Sequence, residues 1–150
     1  MSLTITSFLF AVGLLLPSCN SEKKNIQFPS IKEVIYFRRC CTTGRFDAFR
    51  FDPSLNGVLS EAIGRDLEAV ALPAERQSNT SENHLLLLRC EKEVVLIPIL
   101  GNSELIWHNR LYLSTHTLNT IDSIMRTLKF TRLTPEELQE LEEVSAYFKH

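Results

Sequence analysis

The sequence predicts an α+β fold in which an antiparallel β-sheet of about five strands carries helices packed on one face. Two observations favour this class. Short aromatic, β-branched and leucine-rich runs stand in pairs separated by brief turns, which is typical of antiparallel hairpins. Other segments repeat apolar residues every three or four positions, which indicates helices with one buried face. Taken along the chain, these segments give the order β-β-α-β-β-β-α-α.

The first hairpin is predicted from residues 33–39 and 45–51, both rich in aromatic and branched side chains. Residues 42–44 form the turn between them. The apolar phase of the second run slips between Ala48 and Phe49, which predicts a bulge or an early end of that strand.

A helix is predicted after this hairpin, ending before Pro73. Its apolar positions fall on one helical face, and they are Leu59, Ala62, Ile63, Leu67 and Val70. Residues 74–83 are polar and predict a loop.

Three further strands are predicted from residues 84–90, 93–100 and 104–113. Glu91-Lys92 leaves room only for a hairpin turn between the first two. The first run contains four consecutive leucines, and continuous apolar runs of this length indicate central strands buried on both faces. We therefore expect an antiparallel meander over residues 84–113.

Two helices are predicted to close the chain. The apolar stripe of the first is Leu118, Ile121, Met125 and Leu128, with Thr115 or Thr117 as its cap. The second begins with a capping box and an N1 proline at residues 134–137. Its apolar face is Leu138, Leu141, Val144 and Phe148.

The N-terminus has the composition of an export segment. Its first 21 residues carry no charge, and residues 8–16 are almost wholly apolar but short for a membrane span. Leu16-Pro17-Ser18-Cys19 resembles the lipobox of bacterial lipoproteins. The resemblance implies cleavage before Cys19 and a lipid on its sulfur.

The resemblance predicts three parts of the chain. Residues 1–18 are a signal peptide, residues 19–30 are the lipidated cysteine and a polar tether, and residues 31–150 are one α+β domain. The protein is then anchored in the bacterial cell envelope, facing the periplasm or the cell surface. Three alternatives stay open: a secretory signal cut elsewhere, an uncleaved membrane anchor, and a buried N-terminal helix.

Composition argues against several classes of function. The chain has 16 basic and 18 acidic residues, and a net charge of −2 lacks the basic excess that nucleic-acid binding requires. The Walker, dinucleotide-binding and nucleophile-elbow motifs are absent from the sequence, as is a C-x-x-C pair for zinc. We therefore predict no catalytic residue, no cofactor and no metal.

Charged residues supply the main candidates for an interaction surface. Four arginines fall on the first predicted hairpin, where they form a patch for an acidic partner, a lipid headgroup or another anion. They are Arg38, Arg39, Arg45 and Arg50. The last helix is acidic, through Glu136, Glu137, Glu140, Glu142 and Glu143. Each set has an ordinary alternative, a solvated face, and the two sets can also face each other in the fold.

The cysteines and histidines raise other hypotheses. In an oxidising compartment Cys40 or Cys41 could bond Cys90, whereas the alternative is that all three are small buried hydrophobes. His108 next to Trp107 could line a ligand pocket or act as a base for a cysteine nucleophile, with His116 eight residues on.

These observations lead to a functional hypothesis: a membrane-anchored lipoprotein whose domain binds a protein partner without catalysis. An envelope assembly factor and an immunity-type partner are examples. The rival hypothesis is a lipid- or small-molecule-binding lipoprotein, and the third is a cysteine-dependent enzyme. An enclosed apolar pocket would favour the rival, and a cysteine beside His108 in a cleft would favour the enzyme.

Overall fold

The computed structural model describes residues 28–40, 42–43, 45–73, 82–101, 103–141 and 144 of the 150-residue chain. The predicted signal peptide, Cys19 and most of the predicted tether lie outside these described residues. Cys41 and most of the predicted loop at 74–83 lie outside them as well.

Seven strands and three α-helices form the described part of the chain. The strands are β1 (Ile31–Arg39), β2 (Phe46–Phe51), β3 (Glu82–Cys90), β4 (Val94–Leu100), β5 (Glu104–Trp107), β6 (Arg110–Leu113) and β7 (Phe130–Arg132). The helices are α1 (Asn56–Glu68), α2 (Thr115–Thr127) and α3 (Pro135–Gln139). A short 3-10 helix, Pro53–Leu55, leads into α1.

All seven strands belong to one open sheet, in the order β6-β5-β4-β3-β1-β2-β7. Every neighbouring pair is antiparallel, which confirms the predicted fold class. Both predicted hairpins are present: Ile35 lies opposite Arg50, and Leu87 lies opposite Leu96 across the Glu91-Lys92 turn. The sheet has seven strands rather than about five.

The middle of the sheet is buried on both faces, as the four leucines predict. Leu86 and Leu88 pack with α1 and α2, whereas Leu85 and Leu87 pack with the residues of α3 and the segment around it. None of the four is more than 1% exposed. The prediction that helices pack on one face only is therefore wrong. A strand that is apolar on both sides requires other elements packed against both faces of the sheet.

Burial on both faces also explains the phase slip in β2. Ala48 belongs to the core on the α3 side, and Phe49 belongs to the core beneath α1 and α2. β2 pairs with β1 in regular register through both residues, so the predicted bulge is wrong. Register shifts occur instead in the pairing of β1 with β3, between Ile31 and Glu33, and in the pairing of β3 with β4, between Glu82 and His84.

The region predicted as a single strand over 104–113 is a tight hairpin of β5 and β6. His108 and Asn109 occupy the turn with φ values of 47° and 60°. Positive φ at both central residues is the geometry of a type I′ turn, which matches the twist of the two strands.

β7 was not predicted. α2 ends at Thr127, and its C-cap residue Leu128 has a left-handed φ of 55° that reverses the chain direction. Phe130 then pairs with Phe51 and places a three-residue strand at the sheet edge.

The apolar faces of α1 and α2 follow the predicted spacing except at their C-terminal ends. Leu59, Ile63 and Ile121 are at most 1% exposed. Val70 is 91% exposed because it lies beyond the end of α1, and Leu128 is 74% exposed because it is the C-cap of α2.

The cap of α2 comes from another helix. Neither Thr115 nor Thr117 caps it, and the side chain of Ser114 makes no cap hydrogen bond. Instead, the buried carboxylate of Asp66 in α1 accepts the backbone N–H of His116 at 3.0 Å and that of Thr117 at 2.8 Å. Two free donors of the helix end are satisfied in this way, which ties α1 to α2.

The capping box of the last helix is confirmed. Thr134 Oγ1 accepts the N–H of Glu137 at 3.2 Å, and the Glu137 carboxylate accepts the N–H of Thr134 at 2.8 Å. The helix is shorter than predicted, since α3 ends at Gln139, although Leu141 and Val144 still pack against the sheet. Phe148 lies outside the described residues.

Candidate functional site

Three arginines lie at one end of the sheet, where β1 finishes and β2 begins. We call this the arginine end, defined by Arg38, Arg39 and Arg45, all of which are exposed. The Arg38 guanidinium lies 5.4 Å from the centroid of the Phe49 ring. Within the described ranges, no acidic side chain pairs with any of these three arginines. The arginine end is therefore a small cationic surface that is open to an anionic group.

Arg50 does not belong to this surface, so the predicted patch of four arginines is divided. Its guanidinium donates to Glu137 at 3.1 Å and to Glu33 at 2.7 Å. These two hydrogen bonds raise the pKa of Arg50 further. Glu33 also pairs with Arg89 at 2.9 Å on the neighbouring strand. Arg50 thus fastens α3 to the sheet.

The acidic helix is divided in the same way. Glu137 faces the sheet, and its pKa is lowered by the hydrogen bond from the Thr134 backbone and by Arg50. Glu136 and Glu140 are exposed. Glu142 and Glu143 lie outside the described residues. The hypothesis that glutamates of the last helix meet arginines of the hairpin is therefore confirmed for one pair, Glu137 with Arg50.

Cys40 and Cys90 are both free thiols, at opposite ends of β1. Cys90 lies opposite Ile31, and Cys40 follows Arg39. A strand of this length separates them by about 30 Å, whereas a disulfide needs Cα atoms within about 7 Å. This register does not allow a Cys40–Cys90 bond, and the alternative bond from Cys41 involves a residue outside the described ranges.

The two free thiols differ in acidity. Hydrogen bonds from Thr42 and Thr43 lower the pKa of Cys40 to about 6, and the Thr42 hydroxyl lies 3.1 Å from its sulfur. Burial and the nearby Glu93 raise the pKa of Cys90.

His108 is a turn residue far from Cys40. It is exposed, and it lies at the end of the sheet where the Phe28 ring packs 5.3 Å from the Trp107 ring. Cys40 lies at the other end, with β3 and β4 between β1 and β5. The two side chains cannot form a nucleophile–base pair in this fold. His116, also exposed, is in the first turn of α2.

Sequence reasoning missed a polar pair beneath α2. Tyr36 Oη and His84 Nδ1 are 2.6 Å apart, and their rings stack at 5.7 Å. Burial raises the pKa of Tyr36 to about 12, and burial together with Arg38 lowers the pKa of His84. The pair is brought together by the β1–β3 register, which the sequence alone does not reveal.

Grooves that open to solvent mark the surface of the described part of the chain. A groove of about 610 Å³ lies between α1 and α2 and includes Val58 and His116. One of about 410 Å³ lies where Leu128 precedes β7. The third, about 760 Å³, lies between Arg45 of the arginine end and α3. Phe46, Leu133 and Leu138 form its apolar floor, and Asp47 and Arg132, which pair with each other, also line it.

Metal-ligand clusters and membrane-spanning helices were both sought among the residues that the structure describes. None of these residues forms a group of three His, Cys, Asp or Glu side chains able to hold a metal ion. None of the helices in the described ranges is long and apolar enough to cross a membrane.

No known family model, curated protein or solved structure matches this chain. The chemistry of the arginine end and its adjoining groove is therefore the basis for a function.

Proposed function

We propose that this protein is a membrane-anchored lipoprotein of the bacterial envelope whose domain binds an acidic protein partner without catalysis. The observation that supports the partner's chemistry is the arginine end itself. Three exposed guanidinium groups have no acidic partner in the described ranges, and one of them, Arg45, lines a groove with an apolar floor. Guanidinium groups recognise carboxylates through paired hydrogen bonds, and an apolar floor adds contact area.

The direction of β1 fits this arrangement. The described chain begins at Phe28 beside Trp107, and β1 then runs nine residues to the arginine end. That distance is about 30 Å. With the lipid on Cys19, the chain enters the domain at one end of the sheet and the arginine end lies at the other, where an incoming partner meets it first.

The shape of the surface favours a protein partner over a small ligand. Small-molecule sites are concave cavities that enclose most of the ligand. The three grooves described above are partly open instead. A lipid- or small-molecule-binding lipoprotein remains the second hypothesis and a cysteine-dependent enzyme the third, the latter weakened by the separation of Cys40 from His108.

A pair of matched charge reversals tests the proposed docking surface. Arg39→Glu/Arg45→Glu changes two exposed cations of the arginine end, and Lys92→Glu/Arg110→Glu changes two exposed cations at the opposite end. Tagged full-length protein is purified from detergent-solubilised native membranes, and co-purified proteins are quantified by mass spectrometry at about 50 mM and about 300 mM salt.

We expect the first double variant to lose about tenfold of its captured partner at low salt and less at high salt, because exposed charges act mainly on association rate. The Lys92/Arg110 control should capture like wild type. Cys41→Ser and His108→Ala should also leave capture intact. Equal loss in both charge-reversed variants would contradict the proposal, and loss only in the His108 or Cys41 variant would favour the enzyme hypothesis.

The lipid anchor has its own test. Cys19→Ala should abolish incorporation of labelled fatty acid and release the protein from the membrane fraction. Ser18→Thr, which keeps the cysteine, is the comparison. Membrane association and labelling that survive Cys19→Ala would exclude the lipoprotein assignment without touching the docking surface.

A further inference from the structure

The two edge strands of the sheet, β6 and β7, differ in whether another segment pairs with their outer side. At the β6 edge, the N–H of Leu72 donates to the carbonyl of Leu111 at 2.8 Å, so the segment before residue 74 covers that strand. At the β7 edge, no segment in the described ranges pairs with the outer side of the strand. An uncovered edge presents backbone donors and acceptors to any extended chain.

The register shows which backbone groups face outward. Asp52 N–H donates to the Lys129 carbonyl at 3.0 Å, and Leu133 N–H donates to the Ala48 carbonyl at 2.9 Å. In an antiparallel pair, the residues that bond the neighbouring strand alternate with residues that do not. Lys129, Thr131 and Leu133 therefore direct their backbone groups to β2. Phe130 and Arg132 direct theirs away from the sheet.

The surroundings of β7 suit an extended chain with acidic and apolar side chains. The groove at Leu128 lies at one end of the strand, and the groove of the arginine end lies at the other. Leu128 is 74% exposed, which leaves it free to meet an apolar side chain. Lys129 is exposed opposite Asp52, and the Arg132 side chain is 68% exposed beside its partner Asp47.

We propose that β7 is a docking edge on which an extended acidic segment of a protein partner adds as an eighth strand. The inference rests on the protein-binding role proposed above and specifies how the partner is held. The backbone of Phe130 and Arg132 pairs with the segment, and its carboxylates lie near Lys129, Arg132 and Arg45. The two grooves take side chains at either end.

Charge favours this occupant over a second copy of the chain. Two β7 strands paired antiparallel about a twofold axis at Thr131 would place Lys129 opposite Leu133 and Arg132 opposite Phe130. The Arg132 side chains of the two copies would then lie diagonally across the seam on one face, where like charges repel. A segment rich in glutamate or aspartate instead meets Arg45, which has no acidic partner in the described ranges, and shares Lys129 and Arg132 with Asp52 and Asp47.

Proline at position 132 separates backbone pairing from charge. The N–H of residue 132 faces outward, so Arg132→Pro keeps the β2–β7 pairing and removes the donor offered to a new strand. Arg132→Ala loses the same charge and keeps the donor, which makes it the matched control. The probe is a blocked, fluorescently labelled peptide of alternating glutamate and valine, and its binding to full-length protein in detergent is measured by anisotropy.

We expect wild type to bind best, Arg132→Ala about threefold more weakly, and Arg132→Pro at least about tenfold more weakly than Arg132→Ala. The same peptide N-methylated at alternate amides should not bind. Hydrogen exchange provides a readout without any variant: the peptide should protect the Phe130 and Arg132 amides, whereas the Thr131 amide is protected in the free protein.

Equal binding of the peptide by Arg132→Pro and Arg132→Ala, with no new protection at Phe130 and Arg132, would overturn the docking edge. A concentration-dependent dimer that Arg132→Pro dissociates would also overturn it and assign the edge to a second copy. Neither result bears on partner capture by the arginine end, which the Arg39→Glu/Arg45→Glu variant tests. The failure of one proposal can therefore be distinguished from the failure of the other.

Discussion

The buried carboxylate of Asp66 provides a direct test of how α1 and α2 are held together. Asp66 is 3% exposed and accepts the first-turn N–H groups of His116 and Thr117. Hydrogen bonds to charged groups contribute about 1.5–3 kcal/mol each. An anion at a helix N-terminus adds up to about 2 kcal/mol in partly buried geometries. Because a helix end can recruit water once the carboxylate is gone, we expect Asp66→Ala to cost about 3 kcal/mol in total.

The assay is urea unfolding followed by the fluorescence of Trp107, the single tryptophan of the chain. In a thermal unfolding experiment, the same loss of about 3 kcal/mol would lower Tm by about 12 °C for a domain of this size. Asp122→Ala removes an exposed carboxylate from α2 and should change the unfolding free energy by no more than about 0.5 kcal/mol.

Hydrogen exchange adds a local readout of the same cap. The His116 and Thr117 amides should lose protection first in Asp66→Ala, because they lose their acceptor. The reasoning is refuted if Asp66→Ala is no less stable than Asp122→Ala, or if those two amides keep their protection while stability falls.

Three further predictions follow from perturbed titrations. The pKa of Glu137 is lowered in the fold, so its contribution to stability is present above its ordinary pKa and is lost as pH falls. Between about pH 5 and 3, the unfolding free energy should therefore fall less steeply in Glu137→Gln than in wild type. The pKa of His84 is also lowered, so acidification from about pH 7 to 5 should destabilise wild type more than His84→Gln, and equal slopes would contradict this. Alkylation of Cys40, followed by mass spectrometry, should rise with a midpoint near pH 6, and Thr42→Ala should move that midpoint upward because it removes the hydrogen bond that stabilises the thiolate.

Local sequence patterns predicted the elements whose cause is local. The capping box at Thr134 needs only a hydroxyl, a proline and a glutamate at the right spacing, and it forms as expected. The leucine run and the two-residue turn at Glu91-Lys92 likewise predicted the central hairpin of β3 and β4. These features depend on chain geometry over a few residues, so the sequence contains them in full.

Short elements without strong local signals could not be predicted from the sequence. The turn at His108-Asn109 lacks the usual glycine, so β5 and β6 look like one strand until both positive φ angles are seen. β7 has three residues, too few to show a period, and it exists because β2 offers it a neighbouring edge. The cap on α2 comes from Asp66, some fifty residues earlier in the chain, and no local spacing predicts it.

The candidate site shows the same division. The sequence by itself determined that the first hairpin is rich in arginine and that the sheet centre is apolar on both sides. Only the tertiary structure decided that Arg50 is bound by Glu33 and Glu137, while Arg38, Arg39 and Arg45 stay exposed. The reason is physical: composition fixes which charges a chain carries, but their partners come from strands and helices far apart in sequence, and packing alone brings those together.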